Sequence, residues 1–192
     1  MNRTALALIT AASLALPATS ANANIIVFSG SFSGTQEVPP NASPGTGLVI
    51  VTVDDVLNTM MVEAFWSGLL SPTTVAHIHC CAPAGTNAGV ATAVPTFPGF
   101  PAGVLSGTYT NTFDMTALSS YNPAFVTAQG GTATSAFSAL LDGMLTGNAY
   151  FNIHTSQFPG GEIRAQLSPV PEPSTWAMLL FGFAAAGVAL RR

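Results

Sequence analysis

The sequence predicts a mainly β protein, an antiparallel β-sandwich with one or two short helices. Three observations predict this fold class: period-two alternation in about seven short segments, Gly- and Pro-rich breaks between them, and one stretch with helical spacing. The 192-residue chain holds one domain between two terminal segments of different composition. We assign residues 1–23 and 170–192 to these segments and residues 24–169 to the domain.

Seven strands are predicted in chain order from runs of apolar and β-branched residues. They cover residues 25–32, 48–54, 59–66, 74–80, 104–113, 149–155 and 162–167. Residues 48–54 are apolar or β-branched on both faces, which predicts a central strand. Turn-forming residues separate the strands, and a long loop broken by Gly and Pro is predicted over 82–103.

A helix is predicted before the last two strands. Its apolar residues recur at intervals of three and four, which is the spacing of one helix face. These residues are Phe137, Leu140, Leu141, Met144 and Leu145.

The N-terminal segment has the three parts of a secretory signal peptide. Arg3 supplies the positive charge, residues 5–16 are apolar, and Ala21-Asn22-Ala23 is a small-x-small cleavage site. We therefore predict cleavage between Ala23 and Asn24 and export by the Sec machinery.

The C-terminal segment combines Val170-Pro171-Glu172-Pro173, an apolar run over 177–190, and Arg191-Arg192. The predicted span over 174–190 has seventeen residues, which just suffice to cross a bilayer core of about 30 Å. The order of these parts resembles the PEP-CTERM sorting signal of Gram-negative bacteria. The resemblance implies a transmembrane helix that holds the chain in the inner membrane until an exosortase cuts near the motif, with the product at the cell surface or outside the cell. A permanent membrane anchor is the alternative.

Charge is sparse between the two segments. Residues 24–169 contain seven carboxylates and a single cation, Arg164, so the net charge is −6. One arginine cannot form the basic surface that nucleic-acid binding requires, so no nucleic-acid partner is predicted.

Four motifs in the domain carry a second resemblance. They are Gln36-Glu37-Val38-Pro39-Pro40, His77-Ile78-His79, Asn152-Ile153-His154-Thr155 and Gly161-Glu162-Ile163-Arg164. In this order they resemble the CHRD domain, which was first described in chordin, over roughly residues 25–167. The resemblance implies an immunoglobulin-like sandwich, and it names no biochemical activity. Ala165 and Cys80-Cys81 depart from the usual family pattern.

The three histidines of the chain, His77, His79 and His154, all lie in these motifs. Residues i and i+2 of a strand share a face, so His77, His79 and Cys81 are predicted to project together. His154 can meet them if its strand is a neighbour. Such a set suits copper or zinc, with an affinity that weakens below about pH 6.5 as the imidazoles gain protons. The alternative is that each histidine is a hydrogen-bonded structural residue.

Cys80 and Cys81 are adjacent in a chain that is predicted to be exported. Across a trans peptide their Cα atoms lie about 3.8 Å apart, which is shorter than the usual disulfide range of about 4.4–6.8 Å. A bridge between them is therefore disfavoured, and the remaining alternatives are buried thiols, metal ligands or intermolecular bonds.

Arg164 is predicted to form a partly buried ion pair. It shares a strand face with Glu162, and Glu37 belongs to another polar motif, so either carboxylate is a candidate partner.

No catalytic constellation appears in the sequence, and we predict that the protein is not an enzyme. The favoured function is a surface or extracellular-matrix protein that associates with exopolysaccharide or matrix protein, as in a biofilm. Phe97, Phe100, Tyr109 and Tyr121 would either stack on sugars or fill the core. The alternative is a metal-binding or redox module that uses the three histidines.

Overall fold

The structure, a computed structural model, describes residues 24–171. The predicted signal peptide, the predicted membrane span over 174–190, and Glu172 and Pro173 of the sorting motif lie outside these residues. Within the described range, no helix is both long and apolar enough to cross a membrane.

Eight strands and two α-helices make up the described chain. The strands are β1 (Ile25–Ser33), β2 (Thr46–Asp54), β3 (Thr59–Ser67), β4 (Thr73–Cys80), β5 (Gly107–Asp114), β6 (Ala149–Thr155), β7 (Ile163–Gln166) and β8 (Ser168–Pro169). The helices are α1 (Pro123–Ala128) and α2 (Ala133–Leu145), and two 3-10 turns cover Gly34–Gln36 and Leu118–Ser120. The prediction of a mainly β protein with one or two short helices is confirmed.

All strand pairs are antiparallel, and they form one curled sheet in the order β4-β6-β7-β1-β2-β3-β5, with β8 added to β1. The predicted immunoglobulin-like sandwich has two separate sheets, and the structure differs here. Ser33 of β1 pairs with Arg164 of β7, which joins a five-strand group (β1, β2, β3, β5 and β8) to a three-strand group (β4, β6 and β7). Alternation within a strand shows which face is buried but not which strand lies beside it, so this junction could not be read from the pattern.

The concave side of the curled sheet is filled by aromatic side chains. Phe97, from the loop between β4 and β5, packs against Phe113 of β5 and Phe151 of β6, with ring centroids 5.2 and 5.4 Å apart. It thereby connects the two ends of the strand order. Phe97, Phe100, Tyr109 and Tyr121 are all buried, so the structure places them in the core and not on a sugar-stacking surface.

Helix α2 begins with a capping box, in which the side chains of Thr132 and Ser135 each accept a hydrogen bond from the other residue's backbone N–H. Its buried face carries Phe137, Leu140 and Met144, as the sequence predicted. Leu145 is exposed because the helix ends there.

Candidate metal centre

Two paired strands carry the three histidines. His77 and His79 lie two residues apart on β4, so their side chains share a face, and His154 lies on β6, the hydrogen-bonded neighbour of β4. The register aligns His77 with Asn152 of β6, which in turn aligns with Arg164 of β7. The exposed fractions of the histidines are 5%, 8% and 8%, so all three are removed from solvent.

The three imidazoles form a nearly equilateral triangle. Their ring centroids are 5.9 Å apart for His77 and His79, 5.6 Å for His77 and His154, and 5.8 Å for His79 and His154. One nitrogen of each ring lies within 4.8 Å of the other two. A metal bonded at about 2.0–2.1 Å to each nitrogen needs separations of about 3.3–3.6 Å, so binding would draw the rings together by about an ångström.

Each histidine is held by a backbone carbonyl. The bonded atoms are His77 Nε2 and Pro95 O at 2.7 Å, His79 Nδ1 and Ala88 O at 2.9 Å, and His154 Nδ1 and Pro159 O at 2.9 Å. Because a carbonyl only accepts hydrogen bonds, these three nitrogens carry the proton. The opposite nitrogens therefore present lone pairs, which is how backbone carbonyls orient metal-binding histidines.

The lone-pair nitrogens, His77 Nδ1, His79 Nε2 and His154 Nε2, are buried without a hydrogen-bond partner. Within residues 24–171 only two other buried side-chain nitrogens or oxygens lack a partner. Three of the five buried side-chain nitrogens and oxygens that lack a partner in the described range therefore belong to this histidine cluster. No carboxylate or thiolate of the described range joins the group, so the donor set is three neutral imidazoles.

Burial lowers the pKa of all three histidines below the ordinary value, and that of His79 falls to about 4. The cause is desolvation, since a buried imidazolium loses its hydration. The carbonyl hydrogen bonds oppose the shift without cancelling it. The imidazoles are therefore neutral at pH 7, as metal ligands must be.

Tyr150 stacks on His79, and Arg164 stacks in turn on Tyr150. The ring of Tyr150 packs on that of His79 with centroids 4.9 Å apart and planes at 5°, and the Arg164 guanidinium lies 3.8 Å from the centre of the Tyr150 ring. Arg164 Nη2 lies 3.3 Å from Glu37 Oε2, and both side chains are buried. Of the two predicted partners of Arg164, Glu37 is therefore the one that the structure brings to it.

Glu162, the other predicted partner, is not part of that pair. Its carboxylate accepts hydrogen bonds from Ser43 Oγ at 2.6 Å, the Leu70 N–H at 2.6 Å and Thr155 Oγ1 at 2.7 Å. The prediction extended strand alternation to Glu162, but β7 begins only at Ile163. The rule for residues i and i+2 therefore does not apply to this residue.

The cysteines depart from the predictions. Cys80 and Cys81 form a disulfide with each other, across a cis peptide bond instead of the trans bond that the sequence argument assumed. Strand β4 ends at Cys80, so Cys81 does not continue the alternation of His77 and His79, and its sulfur lies 3.5 Å from Ala139 O on α2. Cys81 is therefore not a fourth ligand in this structure.

The carbonyl partners of the histidines were not found from the sequence. Ala88, Pro95 and Pro159 act through their backbone, so side-chain type carries no signal. Tyr150 could be placed on the His154 face of its strand, but its contact with His79 required the register between β4 and β6.

Comparison with known proteins agrees with the motifs. Residues 28–167 match the family model of the CHRD domain, and residues 169–192 match that of the PEP-CTERM protein-sorting motif. No curated protein and no solved structure matches the chain. The sorting motif indicates export to the cell envelope or surface and recognition by an exosortase. With a match that covers nearly the whole span between the terminal segments, the chain belongs to the CHRD domain family, and it carries a PEP-CTERM sorting signal.

Proposed function

We propose that this exported, exosortase-processed protein binds a copper or zinc ion through His77, His79 and His154 and is not an enzyme. The observation that carries the proposal is the convergence of three buried lone-pair nitrogens whose partner nitrogens are fixed by backbone carbonyls. A buried acceptor without a partner costs about 1–3 kcal/mol, so three of them at one point are costly unless a cation binds there. One water molecule has two protons and cannot satisfy three acceptors.

The donor set supports the choice of metal. Imidazole nitrogen suits copper and zinc, whereas magnesium and calcium prefer oxygen ligands. Three imidazoles leave a fourth position for water or another small ligand.

Binding is favoured over catalysis because the polar groups nearest the centre are already engaged. Glu37 is paired with Arg164, and the Tyr150 hydroxyl accepts a hydrogen bond from the Ala88 N–H at 3.1 Å. In the described range we find no free acid or base beside the histidines for proton transfer.

Association with exopolysaccharide or matrix protein in a biofilm is our second proposal, as is passage through the inner membrane with the help of the Sec machinery. Low charge and the exposed Leu48 and Phe65 on neighbouring strands support association with other surface components. This role is compatible with a bound metal.

Metal titration of the full chain in detergent tests the first proposal. Since the chain has only three histidines, no other imidazole contributes to the signal. We expect one equivalent of Zn²⁺ or Cu²⁺ per chain by calorimetry and by elemental analysis after dialysis. His79→Gln should lose at least about tenfold in affinity, because one of three ligands is removed.

Asp55→Asn is the matched control, since it removes an exposed carboxylate far from the centre, and it should bind as the wild type does. Less than a tenth of an equivalent in the wild type, or equal affinity for His79→Gln, would contradict the proposal.

A further inference from the structure

Arg164 is the only lysine or arginine between Asn24 and Pro171, and it is buried instead of solvated. Besides Glu37, its guanidinium donates to Thr86 O at 3.1 Å and to the Asn87 side-chain oxygen. Both partners lie in the loop that follows β4. The single cation of the described range is thus committed to holding one loop.

The next residue of that loop, Ala88, orients one of the three histidines. Ala88 O accepts the hydrogen bond from His79 Nδ1, and the Ala88 N–H donates to the Tyr150 hydroxyl. Arg164 therefore binds Thr86 and Asn87, which immediately precede Ala88, and the carbonyl of Ala88 orients His79. A shift of this loop would rotate the His79 ring and move its lone pair.

Arg164 also reaches His79 by a second route. Its guanidinium covers one face of the Tyr150 ring, and Tyr150 stacks in parallel on His79. The stack restricts the tilt of the imidazole, while the Ala88 carbonyl restricts its rotation. Both restraints depend on the position of one guanidinium.

Glu37 also holds the guanidinium in place. Its carboxylate pairs with Arg164 and also accepts a hydrogen bond from Asn152 Nδ2, on the β6 residue that is aligned with His77. Asn87 Nδ2 donates to Val38 O at 2.9 Å, so the loop that carries Glu37 is tied to the loop that Arg164 holds.

Stability alone does not account for this arrangement. Burial raises the pKa of Glu37 despite the nearby arginine, so the ion pair does not fully offset the desolvation of the carboxylate. Buried ion pairs are often replaceable by apolar residues without loss of stability.

We propose that Arg164, held by Glu37, is a positioning residue of the metal centre, which aims His79 through the loop Thr86–Ala88 and through Tyr150. This inference rests on the proposed metal-binding function. It assigns the Glu37 and Arg164 motifs to the same site as the histidine motifs, although they lie far apart in the sequence.

The test compares Cu²⁺ affinity and Cu²⁺ electron paramagnetic resonance spectra of full-chain variants. Loss of a residue that orients a ligand typically weakens metal binding about 10–100-fold, and we expect this for Arg164→Gln and Glu37→Gln. Both should also change the copper hyperfine coupling, since the His79 ring is reoriented. Arg164→Lys should bind copper nearly as weakly as Arg164→Gln, because lysine cannot reach both loop acceptors and Glu37 at once.

Asn87→Ala provides a variant at an exposed residue, so folding is not at risk. It removes the Arg164 contact and the tie to Val38, and we expect a loss of affinity of at least about threefold, which is smaller than the 10–100-fold loss because Arg164 keeps its contacts with Thr86 O and Glu37. Tyr121→Phe is the control, since it breaks a buried hydrogen bond to Met115 O outside the centre and should leave copper affinity and spectrum unchanged.

The outcomes separate the two proposals. If the wild type and His79→Gln bind copper equally, or the wild type binds none, the proposed function fails. If His79→Gln loses affinity while folded Asn87→Ala and Arg164→Gln bind copper with the wild-type affinity and spectrum, only the positioning role of Arg164 is overturned.

Discussion

Each of the three histidines has two nitrogens, and the structure uses them differently. One nitrogen donates to a loop carbonyl, and the other faces the two remaining rings. His77 presents Nδ1 to the centre, whereas His79 and His154 present Nε2. This difference follows from where the loops supply a carbonyl, because the bonded nitrogen determines which one is left as the acceptor.

The histidines make the stability of the metal-free protein depend on pH. The pKa of His79 is about 4 in the folded protein, whereas an unfolded chain has a histidine pKa of about 6.5. Between these values the unfolded chain binds a proton that the folded protein does not. The contribution of neutral His79 to the free energy of unfolding is therefore fully retained above about pH 6.5. It is lost progressively as the pH falls toward 4, by up to about 3 kcal/mol.

Urea denaturation of the metal-free full chain between pH 7.5 and 5 measures this effect. The free energy of unfolding should decrease below pH 6.5, and the decrease should be smaller in His79→Gln, which has one titrating group fewer. A wild type and a variant with parallel pH profiles would contradict it. The same burial should move the acid loss of metal affinity below the value near pH 6.5 that ordinary histidines would give.

The hydrogen-bond partners of Glu162 could not be predicted from the sequence. Glu162 belongs to the same motif as Arg164, and its opposite charge and predicted place on the same strand face indicated that the two could pair. The structure instead surrounds the Glu162 carboxylate with donors from two distant loops and from Thr155 of β6. Such partners are hydroxyls and backbone amides, which no charge pattern identifies.

Most strands were predictable because their sequences alternate between clear turn residues. The predicted range 149–155 coincides with β6, and the ranges for β1, β2, β3, β4 and β7 differ by one or two residues at an end. β5 begins at Gly107 instead of residue 104, because Val104 O and N bond to Thr73 instead of a strand neighbour.

Two elements lack a sequence pattern of their own. β8 is two residues long and exists through its pairing with β1, and α1 is six residues long, too short to show a helical period. The sequence does contain a start signal for α1, since the Asn122 side chain caps the helix and Pro123 takes its first position. The candidate site was predictable to the extent that its residues alternate on strands, and the loops that complete it were not.

Helix α2 packs against the disulfide at the end of β4. Gly143 lies on the buried face of the helix, and a Cβ atom there would overlap the Cys80 sulfur and press on that of Cys81. Alanine in place of glycine inside a helix ordinarily stabilises by about 0.5–1 kcal/mol. At Gly143 the steric overlap with the disulfide should outweigh this gain in stability.

We therefore predict that Gly143→Ala lowers the free energy of unfolding by about 1–3 kcal/mol. Urea denaturation of the full chain measures the change. Ser138→Ala, on the exposed side of the same helix, is the control and should be neutral or slightly stabilising. A stabilised Gly143→Ala would show that the helix and the disulfide are not in close contact.

At the scale of the whole molecule, the sheet curls so far that its two ends share one core. Phe97 contacts rings from β5 and β6, which lie near opposite ends of the strand order. The aromatic content of the loop was visible in the sequence, but its place was not, because burial of a loop residue depends on the curvature of the sheet around it.

The two terminal segments predict the extent of the exported protein. A start near Asn24 and an end between Val170 and Glu172 are expected by intact-mass spectrometry of the protein recovered from the cell surface or medium. The fold supports the C-terminal limit, because the Val170 N–H still bonds to Val27 O at 2.7 Å, and cleavage after it leaves the sheet whole. A cell without exosortase should retain the longer chain in its membrane fraction. Extracellular protein that ends at Arg192 would contradict the sorting prediction.

β8 lies antiparallel along β1, and this places both ends of the domain together. Residues 168 and 169 pair with Ser29 and Phe28, so the chain leaves the sheet toward Ile25, where it also enters. The other end of β1, Ser33, lies about 27 Å away and pairs with Arg164 in the row that leads to His77. The tail is therefore attached at the end of the domain remote from the row of Ser33, Arg164, Asn152 and His77, and its removal leaves the contacts of that row intact.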